Sequence, residues 1–295
     1  MSRSISPSTK QTYGLQRVCR IWKYPRSTFY VRLHADPEAQ KSKPGPKPQV
    51  SDNELLTLIQ SDLQASPFQG EGHDKVHARL TRQKALHVGH NRVLRVMREN
   101  NLLSPFRVPR GQANTHDGTI CTDRPDEMWG TDGTKVMTVE EGNVWIFAVI
   151  DHFNSECIGW HVCKKGDRFA ALEPIRMGIQ QYFGPFGPDQ ARGLTIRSDH
   201  GCQYTSDHFR NELRYLGIHH SLGFVGEPQT NGIAERFFRT LKEQIIKGRV
   251  WNNLNELRHA VRTFVDLYNQ QWLLEKNGYQ SPLQTREFFN LRWAA

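Results

Sequence analysis

The spacing of apolar positions divides the chain near residue 125 into a helix-rich first part and an alternating second part. Residues 9–34, TKQTYGLQRVCRIWKYPRSTFYVRLH, read as two short helices broken near Lys23–Arg26. Leu15, Val18, Ile21 and Trp22 give the first an apolar face, while Ser27 and Thr28 are placed to cap the second. The pair has a helix-turn-helix shape. The prolines and charges of KSKPGPKPQ then make an extended linker. From Ser51 to Pro105 the pattern is helical again. Ser51 with Glu54 forms a capping box opening ELLTLIQSDL. HDKVHARLTRQKA forms the next helix, and Asn91 is expected to cap RVLRVMRENN.

Beyond Pro125, EMWGTDGTKVMTV and NVWIFAVIDHF read as strands joined by a turn at Glu140–Asn143, with CIGWHVC a third strand after a break at Asn154 and Ser155. A helix over 169–182 follows, then the loop FGPFGPDQARG, a short strand LTIRS, a helix SDHFRNELRYLG and a strand IHHSL. Two further helices, TNGIAERFFRTLKEQ and NELRHAVRTFVDLYNQ, close the pattern. A three-strand meander followed by alternating helices and strands predicts an α/β fold, a mixed five-stranded sheet covered by helices and preceded by small all-α units.

Composition narrows the class. Only 37% of residues are hydrophobic, mean hydropathy is −0.65, and the longest wholly apolar run is Val144–Ile150. No stretch resembles a membrane span or a signal peptide, so the expected setting is intracellular. The five cysteines form no CxxC pair and read as reduced structural thiols; His152 and His161, near Cys157 and Cys163, fit no common zinc spacing. Residues 1–120 hold nineteen Lys/Arg against nine Asp/Glu, whereas residues 121–295 hold twenty against twenty-one. A cationic first part implies a polyanionic partner such as nucleic acid. In its third helix Arg92, Arg95 and Arg98 recur at intervals of three, a face able to meet phosphates.

Three carboxylates stand at positions suited to a site. Asp132 interrupts the first strand between Gly130 and Gly133, small neighbours that leave room for something to approach. Asp199 ends LTIRS, at the carboxyl end of a strand, where open α/β sheets place ligands. Glu235 lies on a helix whose apolar stripe is Ile233, Phe237, Leu241 and Ile245. Arg239 and Lys242 fall within about 60° of it on the other side, at roughly 100° per residue. That edge is either ion-pair decoration or a phosphate-facing surface. Three converging acids would need cations, and all-oxygen ligation suits Mg²⁺ or Mn²⁺. Spacing alone leaves open a metal-dependent phosphoryl-transfer site or three unrelated acids.

The blocks MWGTDGT, IRSDHGCQYTS and PQTNGIAERFFRTLKEQ resemble the three acidic blocks of the DDE integrase and transposase superfamily. The 35 residues between Asp199 and Glu235 are the spacing shared by retroviral integrases and the bacterial insertion sequence 3 family. VIDHFNSECIGW, YNQ and the Ser281–Pro282 pair extend the resemblance. VGHNRVLRVMRENNLLSP is similar to the helix-turn-helix segment before the core of the OrfB-type transposases of that bacterial family.

The resemblance implies an RNase H-like catalytic core in which Asp132, Asp199 and Glu235 hold two Mg²⁺ ions, with Mn²⁺ a substitute. Arg239 and Lys242 are then DNA contacts, as are the N-terminal arginines, and His200, Gln203, Tyr204 and Asn231 shape loops or touch DNA. The expected organisation is a helix-turn-helix unit at 1–40, a linker at 41–50, a helical DNA-binding unit at 51–115, the catalytic core at 116–285 and a tail at 286–295. The implied activity is that of an insertion-sequence transposase, binding terminal inverted repeats, cleaving DNA and transferring strands. Its implied partners are double-stranded DNA, a second copy of the chain at least, and an upstream-frame protein; its place is the bacterial cytoplasm, on the nucleoid. A catalytically silent DNA-binding derivative and a metal-dependent nuclease that does not join are the alternatives. Departures from the family pattern fall at Cys202, in QGEGHDKVHARL and in QQWLLEKNGYQSP, outside the three carboxylates.

Overall fold

The computed structural model describes residues 3–34, 48–106, 120, 122–223 and 231–293, and the chain separates into two compact units, Met1–Pro48 and Gln49–Ala295. The first unit carries α1 (Leu15–Ile21) and α2 (Arg26–Leu33). Lys23 takes the left-handed conformation at the break, and Pro25, extended at φ −61°, fixes the start of α2. Ser27 and Thr28 therefore lie inside the first turn and do not cap it, contrary to expectation.

In the second unit α3 (Asp52–Ala65), α4 (His73–Arg82) and α5 (His90–Glu99) surround Leu55, Ile59, Val76, Leu80, Val93, Val96 and Met97. The capping box forms as expected: Ser51 Oγ accepts from the Glu54 N–H at 3.2 Å and Glu54 Oε2 accepts from the Ser51 N–H at 2.7 Å. Helix α5 begins two residues early, with Gly89 as its N-cap, so Asn91 sits within the helix. Arg79 joins α4 to α3 through Asp62 at 2.8 Å and to the intervening loop through Glu71 at 2.7 Å.

The sheet comprises β1 (Met128–Thr138), β2 (Gly142–Asp151), β3 (Cys157–Cys163), β4 (Thr195–Ser198) and β5 (His219–Leu222), in the order β3-β2-β1-β4-β5. The first three strands are antiparallel; β4 runs parallel to β1, and β5 parallel to β4. Gly142, at φ +72°, makes the tight β1–β2 hairpin. This is the mixed RNase H-like sheet expected from the sequence.

Both faces of β2 are covered, which explains its continuous apolar run. On one face Val144, Ile146, Ala148 and Ile150 pack under α9 (Gly232–Leu241) and α10 (Leu254–Gln271), with Phe237, Leu241, Val261 and Phe264 in contact. On the other, Phe147 and Val149 join Trp129 and Ile158 beneath α6 (Arg168–Tyr182), α7 (Cys202–Thr205) and α8 (Asp207–Tyr215). A Cβ at Gly159 would lie 2.1 Å from the Pro174 carbonyl oxygen, so only glycine lets β3 meet α6.

Helix α9 continues into a single π-helical turn, Lys242–Ile246. Its buried Gln244 exchanges two hydrogen bonds with the Gln69 backbone, at 2.9 and 2.8 Å, fastening the loop after α3 to the core. A helix not anticipated from the sequence, α11 (Pro282–Trp293), runs through the expected boundary at 285. Its Arg286 is buried against Asp126 at 2.6 Å, Asp151 at 3.1 Å and Glu156 at 2.5 Å.

Candidate active site

Strand β1 pairs with β4 only from Met128 to Gly130, where Gly130 faces Arg197. Continuing that register two residues sets Asp132 level with Asp199, at the point where β4 leaves the sheet. Asp132 is thus held by a strand still paired to β2 at Ala148, while Asp199 stands on the exposed turn beyond β4. Asp199 thus stands at the carboxyl end of its strand, the place where open α/β sheets put ligands.

Glu235 enters from the first turn of α9. The helix is tied to β1 by its N-cap residue Asn231, whose Nδ2 donates to the Thr131 carbonyl at 3.0 Å, one residue before Asp132. Gly130 makes that approach possible, since a Cβ there would lie 2.9 Å from Asn231 Oδ1 and 3.1 Å from His152 Nε2. At Gly133 a Cβ would fall 2.5 Å from the Phe147 ring. What approaches beside both glycines is therefore the protein itself, through Asn231, His152 and Phe147.

One oxygen of each aspartate is fixed by backbone. Asp132 Oδ1 accepts from the Gly133 N–H at 2.7 Å, and Asp199 Oδ1 from the Gly201 N–H at 2.9 Å. Burial pushes the Asp132 carboxyl up to about 6. The Gly133 N–H opposes the rise, the charges of Asp199 and Glu235 add to it, and Lys242 works against it. Asp132 therefore senses both other acids and the lysine. Burial also raises Glu235.

The other expected site residues divide. Arg239 is exposed and Lys242 half-buried on the Glu235 helix and its extension. His200 donates from Nε2 to the Gly223 carbonyl at 2.7 Å, which shapes the loop after Asp199. Gln203 is half-buried beside it, crowding Gly201. Tyr204, expected among the DNA contacts, is wholly buried against Phe209; burial and the Asp132 charge raise its hydroxyl far above the usual range. Asn231 is 94% buried in its role as a tie, being 6% exposed. Neither side chain reaches a duplex, and both assignments to DNA contact are corrected. On α5, Arg92 binds Asp52 at 2.7 Å and the Val50 carbonyl, and Arg95 binds Asp52 at 2.6 Å and Glu99 at 3.0 Å. Together they hold the Asp52 carboxyl below its ordinary value. Two of the three arginines thus neutralise acids of their own helical unit, leaving Arg98 exposed.

His152 is a neighbour that the sequence reading set aside. Burial, with Lys276 and Arg197 nearby, pushes its imidazole down to about 4, and neither ring nitrogen has a hydrogen-bond partner among the described residues. It lies within the block VIDHFNSECIGW, but no spacing placed it beside Gly130, where the turn after β2 brings it.

The three carboxylates supply oxygen donors with mutual repulsion and little compensating charge, an arrangement that hard divalent cations relieve. Their ligand atoms do not all lie within 4.8 Å of one another. By its chemistry, three carboxylates, the donor set suits a hard divalent cation.

Comparison with known proteins identifies the relatives of the chain. Residues 122–228 match the family described as an integrase core domain, residues 216–282 match a second integrase core domain family, and residues 52–110 match an HTH-like domain. InsK of insertion sequence element IS150 from Escherichia coli K12 is 27% identical over 94% of this chain and 95% of that one. The transposase InsD for insertion element IS2D, also from Escherichia coli K12, is 25% identical over 95% and 92%. The crystallised catalytic core domain of BIV integrase is 20% identical and covers 58% of this chain and 99% of that chain, with a TM-score of 0.42. An integrase core behind an HTH-like domain, with insertion-sequence transposases as its homologues along nearly the whole length, places the chain in the integrase/transposase catalytic-core family.

Proposed function

We propose that the chain binds the terminal inverted repeats of its insertion sequence and catalyses Mg²⁺-dependent strand cleavage and strand transfer there. The observation that carries this reading is the placement of Asp132 on β1, level with Asp199 just past the end of β4, while Asn231 ties the helix of Glu235 to the residue before Asp132. Asp132, Asp199 and Glu235 would hold two Mg²⁺ ions, which when bound supply an activated attacking oxygen and neutralise charge on the phosphate.

The chain's own residues do the positioning. Gly133 and Gly201 fix one oxygen of each aspartate, and the other would be the ligand offered to a metal. Asn231 holds the helix of Glu235 to β1. Lys242 and Arg239 engage backbone phosphates along the edge of α9 and its π-helical extension. The first reaction is hydrolysis at an element end, which leaves a 3′-hydroxyl. That hydroxyl then attacks a second phosphodiester, forming one ester bond as another breaks. One active site per end makes the working form at least a dimer on double-stranded DNA, in the bacterial cytoplasm.

The test uses duplexes carrying the inverted repeats that flank the reading frame, incubated with the full chain and Mg²⁺. Nicked and joined products are resolved on a denaturing gel. Both products are expected. Nicks without joining would make the protein a simple nuclease, and neither product from folded, DNA-bound protein would overturn the assignment.

A further inference from the structure

A second group of ligating side chains lies in the helical segment before the sheet. Helix α4 opens with His73 and Asp74, and α5 opens with His90. Asp74 Oδ1 is 3.5 Å from His73 Nε2 and 2.7 Å from His90 Nε2, and one ligand atom from each of the three lies within 4.8 Å of the others. The rings of His73 and His90 are 4.7 Å apart. One turn along α4, His77 packs edge-on against His90 and donates from Nε2 to the Val88 carbonyl at 3.0 Å, just before α5 begins.

We propose that His73, Asp74 and His90 bind one divalent ion of the zinc class, with water completing the shell. A tetrahedral ion with bonds of about 2.0–2.1 Å separates its ligand atoms by about 3.3 Å. The two distances to Asp74 bracket that value, and the His73 and His90 ligand atoms lie within 4.8 Å of each other. Two imidazoles and one carboxylate favour Zn²⁺, Co²⁺ or Ni²⁺ over Mg²⁺, the opposite preference to the three carboxylates of the candidate active site. The side chains of His73, Asp74 and His90 are 17%, 24% and 45% exposed, which gives an ion direct access from solvent. Helix dipoles oppose a cation at two N-termini, a small effect beside direct ligation. The ion would replace the His90–Asp74 contact by a bond set that clamps α4 to α5, while His77 holds the intervening backbone and the His90 ring.

Full-length protein stripped with chelator is titrated with Co²⁺ and then Zn²⁺ in millimolar Mg²⁺, followed by visible absorption, calorimetry and thermal melting. The expected result is one equivalent of Co²⁺ with visible ligand-field bands, displaced by Zn²⁺, and a raised melting temperature. His73→Ala, His90→Ala and Asp74→Asn should each weaken binding at least about tenfold. The combined Asp132→Asn, Asp199→Asn, Glu235→Gln protein should bind as the unaltered chain does. Circular dichroism in chelator verifies that each variant is folded, and the unaltered chain's titration decides the matter if one is not. An ordinary ion pair, with no saturable Co²⁺ or Zn²⁺ binding, overturns the proposal. So does binding that survives all three substitutions or disappears with the active-site carboxylates.

Discussion

Asp132 is placed where its charge is costly, on a buried strand between two other acids, and one lysine and one backbone N–H do not offset this. Its value near 6 exceeds the ordinary 3.8, so the folded chain holds this proton more tightly than the unfolded one. Above about pH 6 both states are charged and the folded state bears the full cost; as pH falls through 6 toward 3.8 that cost is relieved. A shift of two units corresponds to about 3 kcal/mol, reduced to roughly 2 by partial exposure. Without metal, Asp132→Asn should therefore raise unfolding stability by about 2 kcal/mol at pH 8 and by little at pH 4. Urea denaturation at the two pH values measures this; equal stability of the two proteins at pH 8 would show that Asp132 is not strained.

The placement of all three acids was legible in the sequence because strand interruption, strand end and helix edge are local patterns. The packing of Gly130 and Gly133 was not legible, since Asn231 and Phe147 reach those glycines from other elements. Lys242 shows both sides. Helical spacing put it beside Glu235, while only the fold shows it acting on Asp132.

Most elements follow the apolar period within a few residues, and the longest one missed, α11, is held by charge. Its anchor, Arg286, is 7% exposed and satisfies three acids from other parts of the core, an arrangement that hydrophobic periodicity does not register. Burial still drives Asp151 up to about 7, with Arg286 among the groups that oppose the rise. A local signal for the helix existed in Ser281, Pro282 and Gln284. Ser281 Oγ accepts from the Gln284 N–H, and Gln284 Oε1 accepts from the Ser281 N–H, with proline at the first helical position. Arg286→Ala should cost about 3–5 kcal/mol, because it leaves buried carboxylates without their cation. Chemical denaturation reads the loss, and a change below about 1 kcal/mol would mean that the network contributes little to holding the fold.

Over the whole molecule, the excess positive charge belongs to one compact unit. Residues 1–48 hold ten Lys/Arg against two Asp/Glu, leaving twenty-nine against twenty-eight in residues 49–295. The sequence located the excess only within the first 120 residues. It did not reveal that α3–α5 belong with the sheet, because Gln69–Gln244 and the edge-on contact of Phe68 with Trp272 join positions far apart in the chain. A chain truncated to 49–295 should keep its fold, bind element-end duplexes at least about tenfold more weakly near 100 mM salt, and show a shallower dependence of log affinity on log salt. An unchanged salt slope would put the phosphate-binding charge elsewhere.

The central claim is that three carboxylates from β1, the end of β4 and α9 act as one metal-dependent active site. Its most direct measurement is strand transfer by Asp132→Asn, Asp199→Asn and Glu235→Gln on pre-nicked element-end DNA in Mg²⁺, each protein first shown to be folded and to bind the ends. The account predicts that every one of the three loses joining to below about a thousandth of the original rate while end binding persists, since the ions need all three ligands. Joining at an undiminished rate by any one of these variants would contradict it.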